Sequence, residues 1–483
     1  MHYRAIVRIL GLLVTLFSVT MVPPALISLI YQDGSGLPFI LAFILCVLTG
    51  SAMWYSNREH RQELRAKEGF LIVALFWTVL ASFGAIPFIL LEQPSMSVTD
   101  AFFEAFSGLT TTGATVIEGI EFLPHSIQFY RQQLQWLGGM GIIVLAVAIL
   151  PLLGVGGMQL YRAETPGPVK DSKMTPRIAD TAKHLWYIYL SLTIACMVAY
   201  WLAGMSWFDA ICHSFSTIAI GGFSTHDASL GYFNSPMINV ICSVFLLIAA
   251  LNFSLHYAAV SSGSLKNYGK DPEFKAFFTI QASLILLCFL VLVLTGYYST
   301  AEEALDQAMI QAVSISTTAG FATTDFAAWP TFLPIILIFA SFIGGCAGST
   351  GGGLKVIRVF LLFLQGRREI DRLIHPKAVY AVKLGERAMP DRVVEAVWGF
   401  FSAYAVVFVV IMIGMIATGL DNISAFTATA ATLNNLGPGL GSVAATYAEV
   451  SDPGKWLLVI AMLFGRLEVF SLLVLFSPTF WRS

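Results

Sequence analysis

Apolar runs of about 20 residues, the length a helix needs to cross about 30 Å of hydrocarbon, recur along the whole chain. Ten candidate spans lie near 9–30, 37–56, 70–91, 132–153, 185–204, 237–260, 276–297, 331–347, 395–419 and 456–478. Lipid cannot satisfy a bare peptide group, so such runs restrict the fold to helices or a closed barrel, and their unbroken length chooses helices. Composition agrees: 57% of the 483 residues are hydrophobic and 12% charged, against about 25% charged in soluble domains. A lipid bilayer is therefore the expected surrounding, and no basic face invites nucleic acid. Six cysteines (Cys46, Cys196, Cys212, Cys242, Cys288 and Cys346) sit in or against apolar segments without metal-ligand spacing and read as buried thiols. The first run, from Ile9 to Tyr31, is too long for a signal-peptide core and reads as a retained helix.

Charge gives the orientation. If the spans alternate, 24 of the 27 Lys and Arg fall on one side. They are Arg4 and Arg8; Arg58, Arg61, Arg65 and Lys67; Arg162, Lys170, Lys173, Arg177 and Lys183; Lys266, Lys270 and Lys275; nine from Lys355 to Arg392; and Arg482. Arg131 and Lys455 fall opposite, and Arg466 falls within a span. The positive-inside rule makes the basic side cytoplasmic, with both termini inside.

The outward segments near 98–130, 207–235, 303–330 and 421–454 are too long for turns. Each opens with an apolar stretch too short to span and then becomes rich in Gly with Thr or Asn. They read DAFFEAFSGLTTTGAT from Asp100, DAICHSFSTIAIGGFST from Asp209, QAMIQAVSISTTAGFATT from Gln307 and SAFTATAATLNNLGPG from Ser424. In each, a glycine falls 13 positions after the first residue: Gly113, Gly222, Gly320 and Gly437, separated by 109, 98 and 117 residues. A repeat of that length is a span–loop–span unit, and irregular backbone at membrane depth is tolerated only where it is buried or lines a watery cavity.

The expected architecture is thus an all-α integral membrane protein with four span–pore-loop–span repeats around a pseudo-fourfold pore. Two extra helices (1–66) precede units at 67–165 (pore loop 98–118), 166–265 (207–226), 266–380 (303–324) and 381–483 (421–441). Four short helices would direct their negative C-terminal dipoles at one centre, which favours a cation. The extended residues beyond them would offer backbone carbonyls in place of its hydration shell. The expected ligand strands are Thr111, Thr112 and Gly113; Ile220, Gly221 and Gly222; Thr318, Ala319 and Gly320; and Asn435, Leu436 and Gly437. None carries a carboxylate, which fits a monovalent cation better than a divalent one. Glycines that merely allow close helix packing would not recur in this register four times.

Two further features stand out. From Gly344 to Gly353 there are six glycines in ten residues, each costing a helix about 1 kcal/mol relative to alanine. The third unit's second span should break there, either as a plain packing break or as a flexible intramembrane loop (344–355) crossing beneath the filter. Its gating residues would be Gly345, Gly348, Ser349, Thr350, Gly351, Gly352 and Gly353. A phosphate-binding reading fails, because G-x-x-x-x-G-K-[ST] is absent. Arg466, near a helix centre, costs about 2.5–3.5 kcal/mol to insert and should face a cavity or a partner. It either satisfies carbonyls or pairs with Glu468, or it lines the pore below the filter as part of the gate.

The segments TTTGAT (110–115), GGFST (221–225), TTAGF (317–321), NNLGPG (434–439), GGCAGSTGGGLK (344–355) and FGRLE (464–468) together resemble the potassium-uptake membrane subunit of the bacterial Trk system, in the Trk/Ktr/HKT superfamily. The resemblance covers essentially the whole chain. It implies K⁺ uptake across the inner membrane, one single-glycine strand per repeat, and a homodimer with one pore per subunit. It also implies a separate cytoplasmic regulatory subunit of TrkA type, a nucleotide-binding ring. In related transporters, serine at the first filter glycine accompanies sodium permeation, so Gly113 implies potassium. The strands are not TVGYG, and Pro438 follows the fourth glycine, so Rb⁺ and some Na⁺ are expected to pass.

Transported K⁺ is then the expected ion, with no organic cofactor. The longest cytoplasmic loop, about 355–392, is shorter than a typical domain of about 50 residues or more, so nucleotide would act through another chain. Arg367, Arg368, Arg372 and Lys377 either dock it or carry ordinary positive-inside charge. An ion-coupled symporter carrying K⁺ with H⁺ or Na⁺ is the alternative; it would want a midplane carboxylate relay, for which Glu104 is the available group. Catalysis is not expected, since His213, His226 and His256 come with no recognisable motif.

Overall fold

In a computed structural model, residues 1–60, 66–141, 178–378, 380–385 and 387–482 are described. Arg61, Arg65, the end of the 132–153 run and the basic stretch from Arg162 to Arg177 lie outside them. The described chain is mostly helical. Its one departure from an all-α fold is a two-stranded antiparallel hairpin pairing Lys383 with Ala388 and Leu384 with Arg387.

Among the described residues, six helices are long and apolar enough to cross a membrane: Tyr3–Tyr31, Gly36–Ser56, Lys67–Ile89, Lys183–Leu202, Pro272–Leu294 and Asp391–Ala417. At about 1.5 Å per residue the shortest reaches about 30 Å. Leucines such as Leu37, Leu48 and Leu294 stand exposed on them, as surfaces facing lipid tails must. The first two helices cross back to back: a Cβ on Gly11 would lie 2.7 Å from the Gly50 carbonyl oxygen, and one on Gly50 equally close to that of Gly11. Only small residues let helix backbones approach so closely.

Three expected spans are altered. The runs 237–260 and 456–478 are not straight helices: Pro236–Ala249 and Phe253–Ser262 meet at 90°, and Asp452–Arg466 and Val469–Phe476 at 113°. At the first bend Asn252 caps the new helix by accepting from the Ser254 amide at 2.8 Å. His256 then reaches back to the Ile248 carbonyl at 2.9 Å. The second bend turns on Glu468, whose φ is +55°. The run 331–347 forms only the 11-residue helix Leu333–Ile343, which stops where Gly344 adopts a φ of +70°. The next helix begins at Val356. Hydropathy records a run's length but not the backbone break inside it.

The packing order positions the site. The helix after each short segment lies against the short helix of the next unit. His125–Trp136 packs on Trp207–Ala219, Pro236–Ala249 on Ala301–Ser316, and Leu333–Ile343 on Asn422–Leu433. Asp452–Arg466 then returns to Val98–Leu109, so the order closes on itself.

Candidate functional site

Each of the four short helices starts with a cap. Ser97, Ser206 and Thr300 side chains accept from the amides of Asp100, Asp209 and Glu303 at 3.1, 3.0 and 3.2 Å. Asp421 accepts from the Ser424 amide at 3.1 Å. Three of these are S/T-x-x-D/E patterns, the sequence signal of a helix start, and they sharpen boundaries that apolar content alone leaves loose. Burial pushes the Asp209 carboxyl up, but hydrogen bonds from His226, Thr225 and Ser206 outweigh it and hold the group well below the usual carboxylate range.

The far ends match more closely still. The amides of Thr112, Gly221, Ala319 and Leu436 bond back to the carbonyls of Ser107, Ser216, Ser314 and Ala431 at 2.9, 2.8, 2.8 and 2.7 Å. That is the six-to-one bond of a Schellman cap, which puts one residue in the left-handed region, ordinarily glycine. Here that residue is Thr111, Ile220, Thr318 or Asn435, with φ of +56°, +54°, +71° and +55°. Three of the four are β-branched, for which this region is a true outlier costing about 1–3 kcal/mol. The same turn thus closes all four helices, and at three of them it is strained. The glycines two residues on return to positive φ, at +79°, +78°, +82° and +97°.

The four strands meet. A Cβ on Gly113 would collide with the carbonyl oxygen of Gly221, one on Gly222 with that of Ala319, and one on Gly320 with that of Leu436. A Cβ on Gly437 would come within 2.7 Å of the Thr112 oxygen. Each glycine thus abuts the middle carbonyl of the next strand, and the fourth returns to the first. Gly113, Gly222, Gly320 and Gly437 line one cavity of about 530 Å³. Short helices ending at a common point, ringed by strained backbone, can offer oxygens and negative helix ends to a dehydrated cation.

Beneath the strands lies the glycine-rich loop. The Thr350 hydroxyl donates to the Ile218 carbonyl at 2.9 Å and the Gly352 amide to the Thr318 hydroxyl at 2.7 Å. The Gly353 amide donates to the Asn434 carbonyl at 3.1 Å. The loop therefore touches the ends of the second, third and fourth short helices. The first is reached through Arg466, which donates to the Thr111 hydroxyl at 3.1 Å, to the Thr350 carbonyl at 3.2 Å, and to the carbonyls of Gly138 and Gly139. Arg466 does not need Glu468 for this; Glu468 pairs instead with Arg358. Gly345 accepts from the Val356 amide at 3.1 Å, Gly348 from that of Phe253 at 3.1 Å, and the Ser349 hydroxyl donates to the Cys346 carbonyl at 2.7 Å. Gly351 accepts from the Lys355 ammonium.

The family model for TrkH, cation transport protein, matches residues 36–483. The chain belongs to the TrkH family. The Trk system potassium uptake protein TrkH of Vibrio parahaemolyticus is 66% identical over 485 residues, spanning all of both chains. That of Escherichia coli is 63% identical over 483 residues, again spanning all of both chains. TrkG of Escherichia coli is 41% identical over 485 residues, spanning 100% of this chain and 99% of that one. The crystal structure of the potassium transporter TrkH from Vibrio parahaemolyticus superposes with a TM-score of 0.92 at 63% identity, with 100% of each chain covered.

In this TrkH-family chain, several site residues escape sequence reading. Glu104, open as a proton relay, and Arg131, assigned to the outward side, form a pair at 2.7 Å with neither side chain exposed. Gln135, one turn beyond Arg131, holds the second strand through Gly221 and Phe223. The available signal was HSIQFYRQQLQW (125–136), a polar helix in an apolar protein, of whose twelve residues ten are buried. Glu273, also buried, accepts from the Ala347 and Ile357 amides at 2.8 and 3.1 Å and so clasps both ends of the glycine loop. Lys455, the other outward base, is tied to Asp100 at 2.6 Å.

Proposed function

We propose that the chain takes up potassium across the bacterial inner membrane through a gated, channel-like pore, with both termini cytoplasmic. The observation that carries this is the ring of four glycines, one from each repeat, lining a single cavity just beyond the ends of the short helices. Potassium is the cargo named for relatives 63–66% identical over the full chain. On this reading Thr111, Thr112, Gly113, Ile220, Gly221, Gly222, Thr318, Ala319, Gly320, Asn435, Leu436 and Gly437 form the selectivity filter, binding K⁺ through backbone carbonyls. The four units at 67–165, 166–265, 266–380 and 381–483 surround the pore pseudo-fourfold, after two extra helices.

Residues Gly345, Gly348, Ser349, Thr350, Gly351, Gly352 and Gly353, with Arg466, form the gate. A positive charge below the filter raises the barrier to a resting cation, and a loop of glycines can yield when that charge moves. Glu104 is held by Arg131, Thr115 and Val116, which leaves the coupled symporter without its relay and supports conduction over coupling. The chain carries no chemistry of its own; it pairs as a homodimer and takes nucleotide control from a TrkA-type ring docked on its basic cytoplasmic face.

Rb⁺ flux into liposomes holding the purified protein tests this, with Na⁺ and H⁺ gradients varied. Passive flux indifferent to both gradients is expected. Flux that requires either gradient would establish coupling, and no flux under any condition would sink both readings.

A further inference from the structure

The first and second strands are joined from behind by three side chains with no exposed surface: Glu104, Arg131 and Gln135. Glu104 projects from the first short helix nine residues before Gly113. Its two oxygens accept from the Thr115 hydroxyl, each at 3.0 Å, and one accepts from the Val116 amide at 3.1 Å. Arg131 donates to that carboxylate through Nε at 2.7 Å and to the Ser224 carbonyl in the next unit at 3.1 Å. Its guanidinium lies 4.2 Å from the centre of the Phe223 ring. Gln135, four residues on and so on the same helix face, donates to the Gly221 carbonyl at 2.6 Å and accepts from the Phe223 amide at 3.0 Å.

The other quadrants are braced differently. Nine residues before their glycines stand His213, Gln311 and Ala428. His213 meets the Ser224 hydroxyl at 2.9 Å, and Gln311 donates to the Thr323 hydroxyl at 3.2 Å. Ala428 can make no such bond; there Tyr447 donates to the Gly437 carbonyl at 2.7 Å instead. Among these four equivalent positions only the first carries a charge, and its counter-charge spans two strands.

We infer that Glu104, Arg131 and Gln135 are positioning residues whose strut fixes the spacing of the first two filter strands and thereby sets discrimination of K⁺ from Na⁺. The inference rests on the filter reading above. A carbonyl cage rejects the smaller ion only if its walls resist closing on it, and a buried ion pair anchored at both ends resists more stiffly than a neutral hydrogen bond. None of the three side chains needs to touch the ion. Substituting one leaves the oxygens in place but frees the strands to move together.

The test compares wild type with Glu104→Gln, Arg131→Gln, the double variant, and Gln135→Leu, which introduces no charge. All are purified as full chains, checked for a single dispersed species, and measured in liposomes for the ratio of K⁺ to Na⁺ permeability. Melting temperature is also followed against added KCl and NaCl, a readout of ion binding that does not depend on flux. The expected result is a ratio reduced by about tenfold or more in each of the two single charge variants, as loss of a bond to a charged group implies, and by a smaller, several-fold factor in Gln135→Leu, whose lost bonds are neutral. The double variant should be no worse than the poorer single, because the pair acts as a unit. Stabilisation by K⁺ over Na⁺ should shrink in parallel. Should the charge variants fail to fold, Gln135→Leu carries the test alone. Unchanged ratios in well-dispersed variants overturn the strut and leave the filter standing, whereas a wild type that does not distinguish the ions overturns both.

Discussion

The carboxylate of Glu468 meets the guanidinium of Arg358 at 2.5 Å, joining segments 110 residues apart. Arg358 opens the helix that follows the glycine loop, and Glu468 is the left-handed residue at the last helix's 113° break, two positions beyond Arg466. The pair therefore links the two halves of the proposed gate, and it is partly shielded from water, with side chains 8% and 28% exposed.

Replacing Glu468 by Ala should break that link. Loss of a hydrogen bond between charged groups costs about 1.5–3 kcal/mol, and the freed helix end lets Arg466 leave the pathway. A lower melting temperature together with a several-fold rise in Rb⁺ flux is expected. If the melting temperature falls while flux stays unchanged, the pair is structural and no part of the gate.

The filter glycines should not be equivalent. A methyl group on Gly113, Gly222 or Gly320 meets the neighbouring carbonyl head-on, while on Gly437 the closest oxygen stands at 2.7 Å. Alanine at the first three positions should abolish Rb⁺ flux, and Gly437→Ala should retain the most. The reverse ranking in a flux assay would refute the cyclic arrangement of strands.

Glu273 should hold the glycine loop through its oxygen and not through its charge. Gln keeps a carbonyl oxygen for the Ala347 and Ile357 amides, whereas Ala abandons both, at about 1–3 kcal/mol for each buried amide left unsatisfied. Cys346, buried in that loop at 2% exposure, reports the difference. Thiol alkylation at Cys346, scored against a Cys346→Ser control, should accelerate in Glu273→Ala and stay slow in Glu273→Gln. Equal labelling of the two variants would contradict the staple.

At the outer mouth, Asp209 gives a pH prediction whose sign follows from its depressed carboxyl. Its bonds to Thr225 at 2.6 Å and Ser206 at 2.7 Å favour the ionised form. A group lowered on folding contributes stability that is complete above its unfolded value of about 3.9 and is lost only as pH falls through the folded value. The melting-temperature gap between wild type and Asp209→Asn should therefore not narrow from about pH 8 to about pH 5 and should close only in stronger acid. A gap that narrows already between about pH 7 and about pH 5 would overturn the assignment.

Much of this was written in local sequence. Continuous apolar runs force helices because lipid offers backbone groups no other partner. The recurring glycine 13 residues into each short segment marks a place in each unit where a side chain cannot fit. Such features are legible because each depends on residues within a turn or two of one another. The bends at Asn252 and Glu468, by contrast, sit inside runs that hydropathy reads as continuous.

What only the tertiary structure decided is which distant groups share a buried space. Glu104 and Arg131 look like a relay and an outward charge until the chain folds and makes each the other's counter-ion. Glu273 and Arg358 carry no signal in their own neighbourhoods, and Gln135 only that of a polar helix in an apolar protein, since their partners lie from 74 to 110 residues away. A charged or amide group can be buried only where its hydrogen bonds are met, and along this chain those bonds are met by strands and loops from other units. Sequence thus determined the elements and the glycines of the candidate filter, and three-dimensional packing determined what holds them in place.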